Sequence, residues 1–453
     1  MSELRTIARH AATVLAGQLA VMAYGVADTV IAGRHSAQAL AALSIGSAVY
    51  ISVFVALMGI LQAQLPVWAE LHGAGQPRAI GRSVRQALYL CALTAAVGAA
   101  ALLWPGPLLQ VTGVPEALVS DVQDYLAILA LALPAALLFR LFSTLNQALG
   151  KPRLVTWLQL GSLAIKVPLS VWFVFGGAGL PAMGLVGCAW ATLAVNYLLL
   201  AMALWLVRTD SLYRACALWQ PLEPPDPGAL AGFARLGIPN GLAIMVEVTS
   251  FTLMALFIAR MGMTASAGHQ IAANMAALLY MVPLSIGIAA SARISFWLGA
   301  GDAARARQVI GTGLRLTLGA SLVLAALVIA GHKVLASLYA GNNPAVVAMA
   351  ASLLVWVAAY HLADALQAVC VFMLRCYRVA TAALAVYCVF LWGIGLGGGY
   401  LLANHTFAGL GPLAQPQTFW AMGALALALT AATLGWLLWR SVRRPPPASA
   451  STA

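Results

Sequence analysis

Charge is scarce in this chain of 453 residues: Asp, Glu, Lys and Arg together make up 8% of it, about a third of the ~25% that soluble domains carry. A soluble globular protein is excluded on that count, because too few charged side chains remain to solvate its surface. Acidic residues number 12 against 24 Lys and Arg. Nucleic-acid binding would need those basic residues clustered on one soluble face, and they are scattered between apolar runs. Enzyme signatures are also lacking: there is no H-E-x-x-H, G-x-S-x-G or Walker A run, and no soluble domain to hold a nucleotide. The six cysteines, Cys91, Cys188, Cys216, Cys370, Cys376 and Cys388, show no C-x-x-C spacing, and five lie in or against apolar runs. They read as small buried hydrophobes, without a disulfide framework.

What the chain does contain is apolar surface. Hydrophobic residues make up 62% and the mean hydropathy is +0.92, with 41 Gly and 21 Pro, a composition suited to close-packed, locally broken membrane helices. The apolar runs are near-continuous over about twenty residues, whereas a membrane barrel shows alternating segments of about ten. The fold class is therefore an all-α, multi-pass membrane protein. Twelve spans are expected, at 11–33, 39–67, 87–110, 124–148, 154–175, 184–207, 237–259, 268–292, 311–331, 345–373, 379–402 and 417–439. The run after Arg5 and Arg9 is too long for a signal peptide and reads as the first span. The expected organisation is a six-helix lobe at 1–210, a cytoplasmic linker at 211–233 that holds Leu222-Glu223-Pro224-Pro225-Asp226-Pro227, a second lobe at 234–442, and a disordered tail at 443–453.

The basic residues gather on one side of this layout: only Arg34, Arg260 and Lys333 fall on the other side, and Arg140 and Lys166 fall inside spans. The positive-inside rule then places both termini in the cytoplasm. Sliding the chain by 226 residues sets Gly73-Ala74-Gly75 on Gly299-Ala300-Gly301, Arg34 on Arg260, Ala41 on Ala267 and Ile45 on Ile271. These matches read as a duplication of six spans, whose halves insert in the same orientation about a pseudo-two-fold axis along the membrane normal. The two Gly-Ala-Gly runs read as tight turns rather than phosphate loops.

Three acids fall within spans: Asp28, Glu247 and Asp364. Each opposes insertion by about 2.5–3.5 kcal/mol, roughly 8–10 kcal/mol together, so their retention points to function. The bland reading is a buried acid paired with Arg or Lys to fix packing. Helical spacing puts Tyr360, Asp364 and Gln367 on one face with His361 adjoining, and puts Ser250 and Met254 one and two turns beyond Glu247. Carboxylates beside hydroxyl and amide oxygens suit Na⁺ or a proton, while His361 reads as a packing residue.

The chain resembles the multidrug and toxic compound extrusion (MATE) family, in its bacterial NorM-type branch, over nearly its whole length. The resemblance rests on Val26-Ala27-Asp28-Thr29, Gly73-Ala74-Gly75, Gly237-Ile238-Pro239-Asn240-Gly241, Leu279-Tyr280-Met281-Val282-Pro283 and Ala363-Asp364-Ala365-Leu366-Gln367, in this order. It implies a V-shaped pair of six-helix lobes that exports bulky organic cations in exchange for Na⁺ or H⁺. The family's C-lobe cation site transfers onto Glu247, Tyr280 and Asp364, with Na⁺ at Glu247 and Asp364, and its N-lobe acid onto Asp28. Gln367 and Tyr360 stand beside that site as modulators. Lys166 and Ser170 depart from the family, which commonly has Asn or Asp at the first position and Asn at the second. Arg375-Cys376-Tyr377-Arg378 varies a family run without losing its charges.

The expectation is a secondary active multidrug antiporter, not an enzyme, in the bacterial inner membrane. It acts as a monomer among membrane lipids, on cationic amphipathic small molecules and without cofactor or nucleic acid. Na⁺ is favoured over H⁺ because two acids, Tyr280 and nearby hydroxyls offer several oxygen ligands. The alternatives are a flippase for lipid-linked saccharides, which would line its cavity with Arg and Lys, and a membrane-embedded transferase, which would need an acid/base or metal cluster near a large loop. Lys166 is expected to pair with Asp28, because span 5 packs near span 1 in the family arrangement. The competing expectation is that Lys166 snorkels to a loop.

Overall fold

No water reaches the hydrocarbon core, so each spanning backbone must bond within itself, and the chain does so as helix. The structure, a computed structural model, describes residues 2–106, 109, 115–177, 179–341, 343–405 and 412–443. The tail expected to be disordered lies, from 444 on, outside the described residues. Among the described residues, extended pairing amounts to one isolated bridge, Gly177 to Leu180.

Among the described residues, twelve helices are long and apolar enough to cross a membrane. They are α1 (Glu3–His35), α2 (Ala37–Gly73), α3 (Pro77–Leu103), α4 (Glu116–Ala148), α5 (Pro152–Phe175), α6 (Leu185–Thr209), α7 (Pro227–Ala259), α8 (Met263–Gly299), α9 (Ala303–Ala340), α10 (Pro344–Cys376), α11 (Thr381–Asn404) and α12 (Pro416–Arg443). Several run well past the expected spans. Hydropathy sees only the apolar middle, whereas helix ends are set by capping chemistry. Pro77, Pro152 and Pro344 open α3, α5 and α10, where a missing N–H costs nothing. Asp302 Oδ1 accepts from Arg305 N at 2.9 Å and Asn343 Oδ1 from Val346 N at 3.2 Å, capping α9 and α10.

The 226-residue offset reappears in the helices. α2 and α8 begin at Ala37 and Met263, and α3 and α9 at Pro77 and Ala303. Four helices also end in one kind of turn, with a residue at positive φ: Gly75 (67°), Gly150 (69°), Gly301 (77°) and Arg378 (61°). In each, its N–H bonds three residues back and the next N–H bonds five back, as Gly75 N to His72 O and Gln76 N to Leu71 O. This satisfies carbonyls that a helix end leaves open. No atom stands within 4 Å of a Cβ built on Gly75 or Gly301, so conformation, not crowding, calls for glycine there.

Contacts group the chain into two compact units: Ala16–Gly241, and the residues up to Leu15 together with those from Leu242. Both divisions fall inside helices, α1 and α7, again 226 residues apart. The units thus differ from the division expected at 210 and 234. The first turns of α1 stay with the second unit because Arg293 Nη2 donates to Glu3 Oε1 at 2.6 Å and Ile7 and Ala11 join its apolar cluster. The first turns of α7 stay with the first unit, where Asn240 Nδ2 donates to Gly59 O at 2.5 Å. Within the first unit α4 packs on α2, α3 and α6, and within the second α10 packs on α8, α9 and α12. The candidate site residues of α10 therefore project from a central helix.

The segment expected to be a linker is docked. Arg85 Nη1 donates to Ala217 O at 2.7 Å and its Nη2 to Glu223 Oε1 at 2.6 Å, while Gln86 bonds both Pro224 O and Asp226 N. Tyr213 donates to Asn146 Oδ1 at 2.8 Å, and burial, its largest influence, pushes its phenol up to about 12, so it stays a neutral donor. Gly81 lies under the Cys216 carbonyl, where a Cβ would come within 1.7 Å of the oxygen. We expect Gly81→Ala to lower the thermal midpoint in detergent more than Gly75→Ala. The first must move backbone, whereas the second costs about 1–2 kcal/mol of left-handed strain. Equal midpoints for the two variants would mean that the strap, residues 211–226, is not held at this contact.

Candidate functional site

Glu247 on α7 and Asp364 on α10 are brought together by one side chain. Gln367, one turn beyond Asp364, donates from Nε2 to Asp364 Oδ1 at 2.9 Å and to Glu247 Oε1 at 3.3 Å. Its Oε1 in turn accepts from the Tyr387 hydroxyl on α11. Gln367 is fully buried, Asp364 is 6% exposed, and Glu247 is half-buried. Among the described residues neither acid forms an ion pair. Two carboxylates at membrane depth are therefore held by a neutral amide, which satisfies lone pairs without cancelling charge.

Tyr360 lies one turn before Asp364, but its ring is engaged elsewhere. It meets Trp420 edge-on at 5.3 Å and Phe251 at 6.4 Å, in a group that His269 completes. A small cavity of about 30 Å³, lined by Ser250, Phe251, Met254 and Tyr360 among others, opens beside this group. Ser250 and Met254 thus face one space with Tyr360, as their spacing from Glu247 suggests. Tyr280 on α8 is half-buried and, among the described residues, makes no hydrogen bond to either acid. His361 is buried, with neither ring nitrogen partnered among the described residues. Tyr387 is the member that sequence reasoning missed, because it belongs to another span and no spacing rule links it to α10. It immediately precedes eleven residues of π-helix, Cys388–Gly398, a geometry often found at functional positions.

In the first unit the third acid is treated differently. Lys166 Nζ on α5 donates to both oxygens of Asp28 on α1, at 2.7 and 2.9 Å, and to Ser170 Oγ at 3.0 Å. Ser170 donates to Asp28 Oδ1 at 3.2 Å, and Cys188 O stands 3.4 Å from the ammonium. Lys166 is 1% exposed, so it pairs rather than snorkels. One turn earlier the Tyr24 hydroxyl meets Ser162 Oγ, and α1 is tied to α5 at two levels. No group of three or more His, Cys, Asp and Glu side chains converges among the described residues, so a cation at Glu247 and Asp364 would draw its remaining oxygens from hydroxyls, amides or water.

The MatE family model matches this chain twice, at residues 14–172 and 239–401, one match in each half of the repeat. The chain is 38% identical over 436 residues to a probable multidrug resistance protein NorM of Aromatoleum aromaticum, covering 96% of this chain and 94% of that one. It is 36% identical to the multidrug resistance protein PmpM of Pseudomonas aeruginosa, covering 88% and 84%. The fold matches the eukaryotic MATE transporter AtDTX14 with a TM-score of 0.84 at 20% identity over 97% of each chain. It matches the Vibrio cholerae MATE transporter VcmN in its bent form with a TM-score of 0.83 at 17% identity, covering 98% and 97%.

The Asp28 and Lys166 pair generates a double-mutant prediction. Asp28→Asn strands a buried ammonium and should cost about 3–5 kcal/mol, read as a lowered midpoint of thermal unfolding in detergent. Asp28→Asn with Lys166→Asn should recover much of that loss. Additive losses would show that the two side chains do not depend on each other.

Proposed function

This chain belongs to the MatE family, and from that membership and the site's charge we propose a multidrug efflux transporter that exchanges organic cations for a coupling ion. It is a multi-pass membrane protein and not an enzyme. The observation that carries the proposal is the pair Glu247 and Asp364, held by the Gln367 amide and, among the described residues, forming no ion pair. Exchange then follows from competition: the pair holds either the coupling ion or the cationic drug, and arrival of one expels the other. Na⁺ is the preferred coupling ion because oxygen ligands are what this neighbourhood offers, and hard cations take oxygen. The cargo is a cationic amphipathic small molecule, whose ring systems suit the aromatic group of Phe251, Tyr360 and Trp420. Asp28 is excluded from the exchange by its own lysine.

A flippase for an anionic lipid-linked head group would need free cationic side chains. Lys166 is engaged by Asp28, which weakens that alternative, although Arg140 on α4 is buried with Nε and Nη2 unpartnered among the described residues. The proposed setting is the bacterial inner membrane, as a monomer, with both termini cytoplasmic.

Two experiments test this reading. Asp364→Asn and Glu247→Gln should each reduce drug efflux to the level of cells lacking the transporter while membrane expression stays normal, since removing an intramembrane charge relieves an insertion cost of about 2.5–3.5 kcal/mol. Full efflux in both variants would return the acids to a packing role, and proteoliposomes with imposed Na⁺ or pH gradients identify the ion. Single cysteines at positions 75 and 220, in a background without native cysteine, should label from the cytoplasm, and those at 115 and 180 from outside. Cytoplasmic labelling at 115 would overturn the orientation.

A further inference from the structure

We infer that Gln367 is an internal stand-in for the transported cation: its amide fills the space between Glu247 and Asp364 when no cation is bound, and Tyr387 holds it there. This rests on the reading above. An amide has two faces, and only one can serve two carboxylates: the NH₂ must point at the acids, because Oε1 against them would set acceptor against acceptor. The Tyr387 hydroxyl fixes that choice by donating to Oε1. Rotating the amide away from the acids therefore breaks three bonds together: two to the carboxylates and one to the tyrosine. All four groups are ordered on three different helices, α7, α10 and α11, so the amide's position records how these helices sit within their unit. A cation that draws oxygens from both acids must compete with this amide, which makes the latch part of the apparent affinity.

The first unit supplies the comparison. There an ammonium, Lys166, takes the place of the amide, with 2.7 and 2.9 Å bonds to one carboxylate. Its full charge makes displacement by an outside cation far harder. The two occupants thus differ in charge: a neutral amide between two carboxylates in one unit, an ammonium on a single carboxylate in the other. Gln367 and Tyr387 are positioning residues in this scheme, because they act on the cation through the acids.

The test is equilibrium binding of tetraphenylphosphonium to the purified full-length protein in detergent without Na⁺, with thermal unfolding of each variant measured in parallel. Tyr387→Phe loosens the latch and should tighten binding by about three- to tenfold, the effect of losing one hydrogen bond in a charge-assisted set. Gln367→Met, of similar size but without a donor, should tighten it in the same direction. Gln367→Lys supplies a permanent occupant and should weaken binding by about a hundredfold or more while the protein remains folded. Structural damage alone would lower affinity in all three, so opposite signs at one position are the signature. Affinity that is unchanged or lowered in the folded Tyr387→Phe or Gln367→Met protein overturns the inference. A wild-type protein whose binding is absent, or unaffected by Glu247→Gln and Asp364→Asn, overturns the underlying reading instead.

Discussion

A carboxylate inside a membrane must be compensated, and the choice of compensating group decides what it can do. Bulk water is excluded from the hydrocarbon, so the alternatives are a counter-ion of the protein's own, hydrogen-bond donors, or a cation from outside. Asp28 takes the first, from Lys166, and the result is a closed pair with little demand left on its surroundings. Glu247 and Asp364 take the second, and two partial charges on one amide leave most of the demand unmet. The central position of α10 follows from the same constraint, because Asp364 and Gln367 tolerate membrane depth only where protein surrounds them on most sides.

Duplication explains why two such different sites share one scaffold. The offset of 226 residues relates the starts of α2 and α8 and of α3 and α9, the glycine turns at Gly75 and Gly301, and the divisions within α1 and α7, and the family model matches once in each half. Turns of this kind tolerate little change, since their geometry follows from φ and two backbone bonds. Arg378 is the exception. It adopts φ 61° where Gly75, Gly150 and Gly301 close the other three turns, so its side chain is kept against a left-handed cost of about 1–2 kcal/mol. Site side chains are under no such constraint: at the 226-residue offset Gln367 falls on Leu141 and Lys166 on Trp392, so the amide of one half and the ammonium of the other stand at positions that the repeat does not relate.

The parts of this architecture that were legible in sequence are those governed by one-dimensional rules. Apolar runs of about twenty residues locate membrane helices, and fixed offsets reveal duplication. The insertion cost singles out Asp28, Glu247 and Asp364, and helical spacing joins Tyr360, Asp364 and Gln367. Helix ends were less legible because caps such as Asp302 and Asn343 lie beyond the apolar window. The docked strap at 211–226 was not legible, since it depends on Arg85 and Gln86 reaching main-chain groups some 130–140 residues away. The bond from Tyr387 to Gln367 was not legible either, because it joins two spans whose relative rotation hydropathy does not report.

Charge sets the economy of the proposed exchange. Exchange of one Na⁺ for one monovalent drug cation moves no net charge, so the membrane potential, worth about 2.3 kcal/mol per charge per 100 mV, contributes nothing to it. On the proposed reading, two carboxylates that form no ion pair could take two monovalent ions against one organic cation, and that ratio would carry one positive charge inward per cycle. At 100 mV the gain is roughly fifty-fold in the drug gradient that can be sustained. Had Asp28 been the partner of either acid, the lysine would have cancelled that capacity. Confining the lysine to the first unit leaves both acids of the second free of an ion pair, which is the condition that the proposed exchange requires.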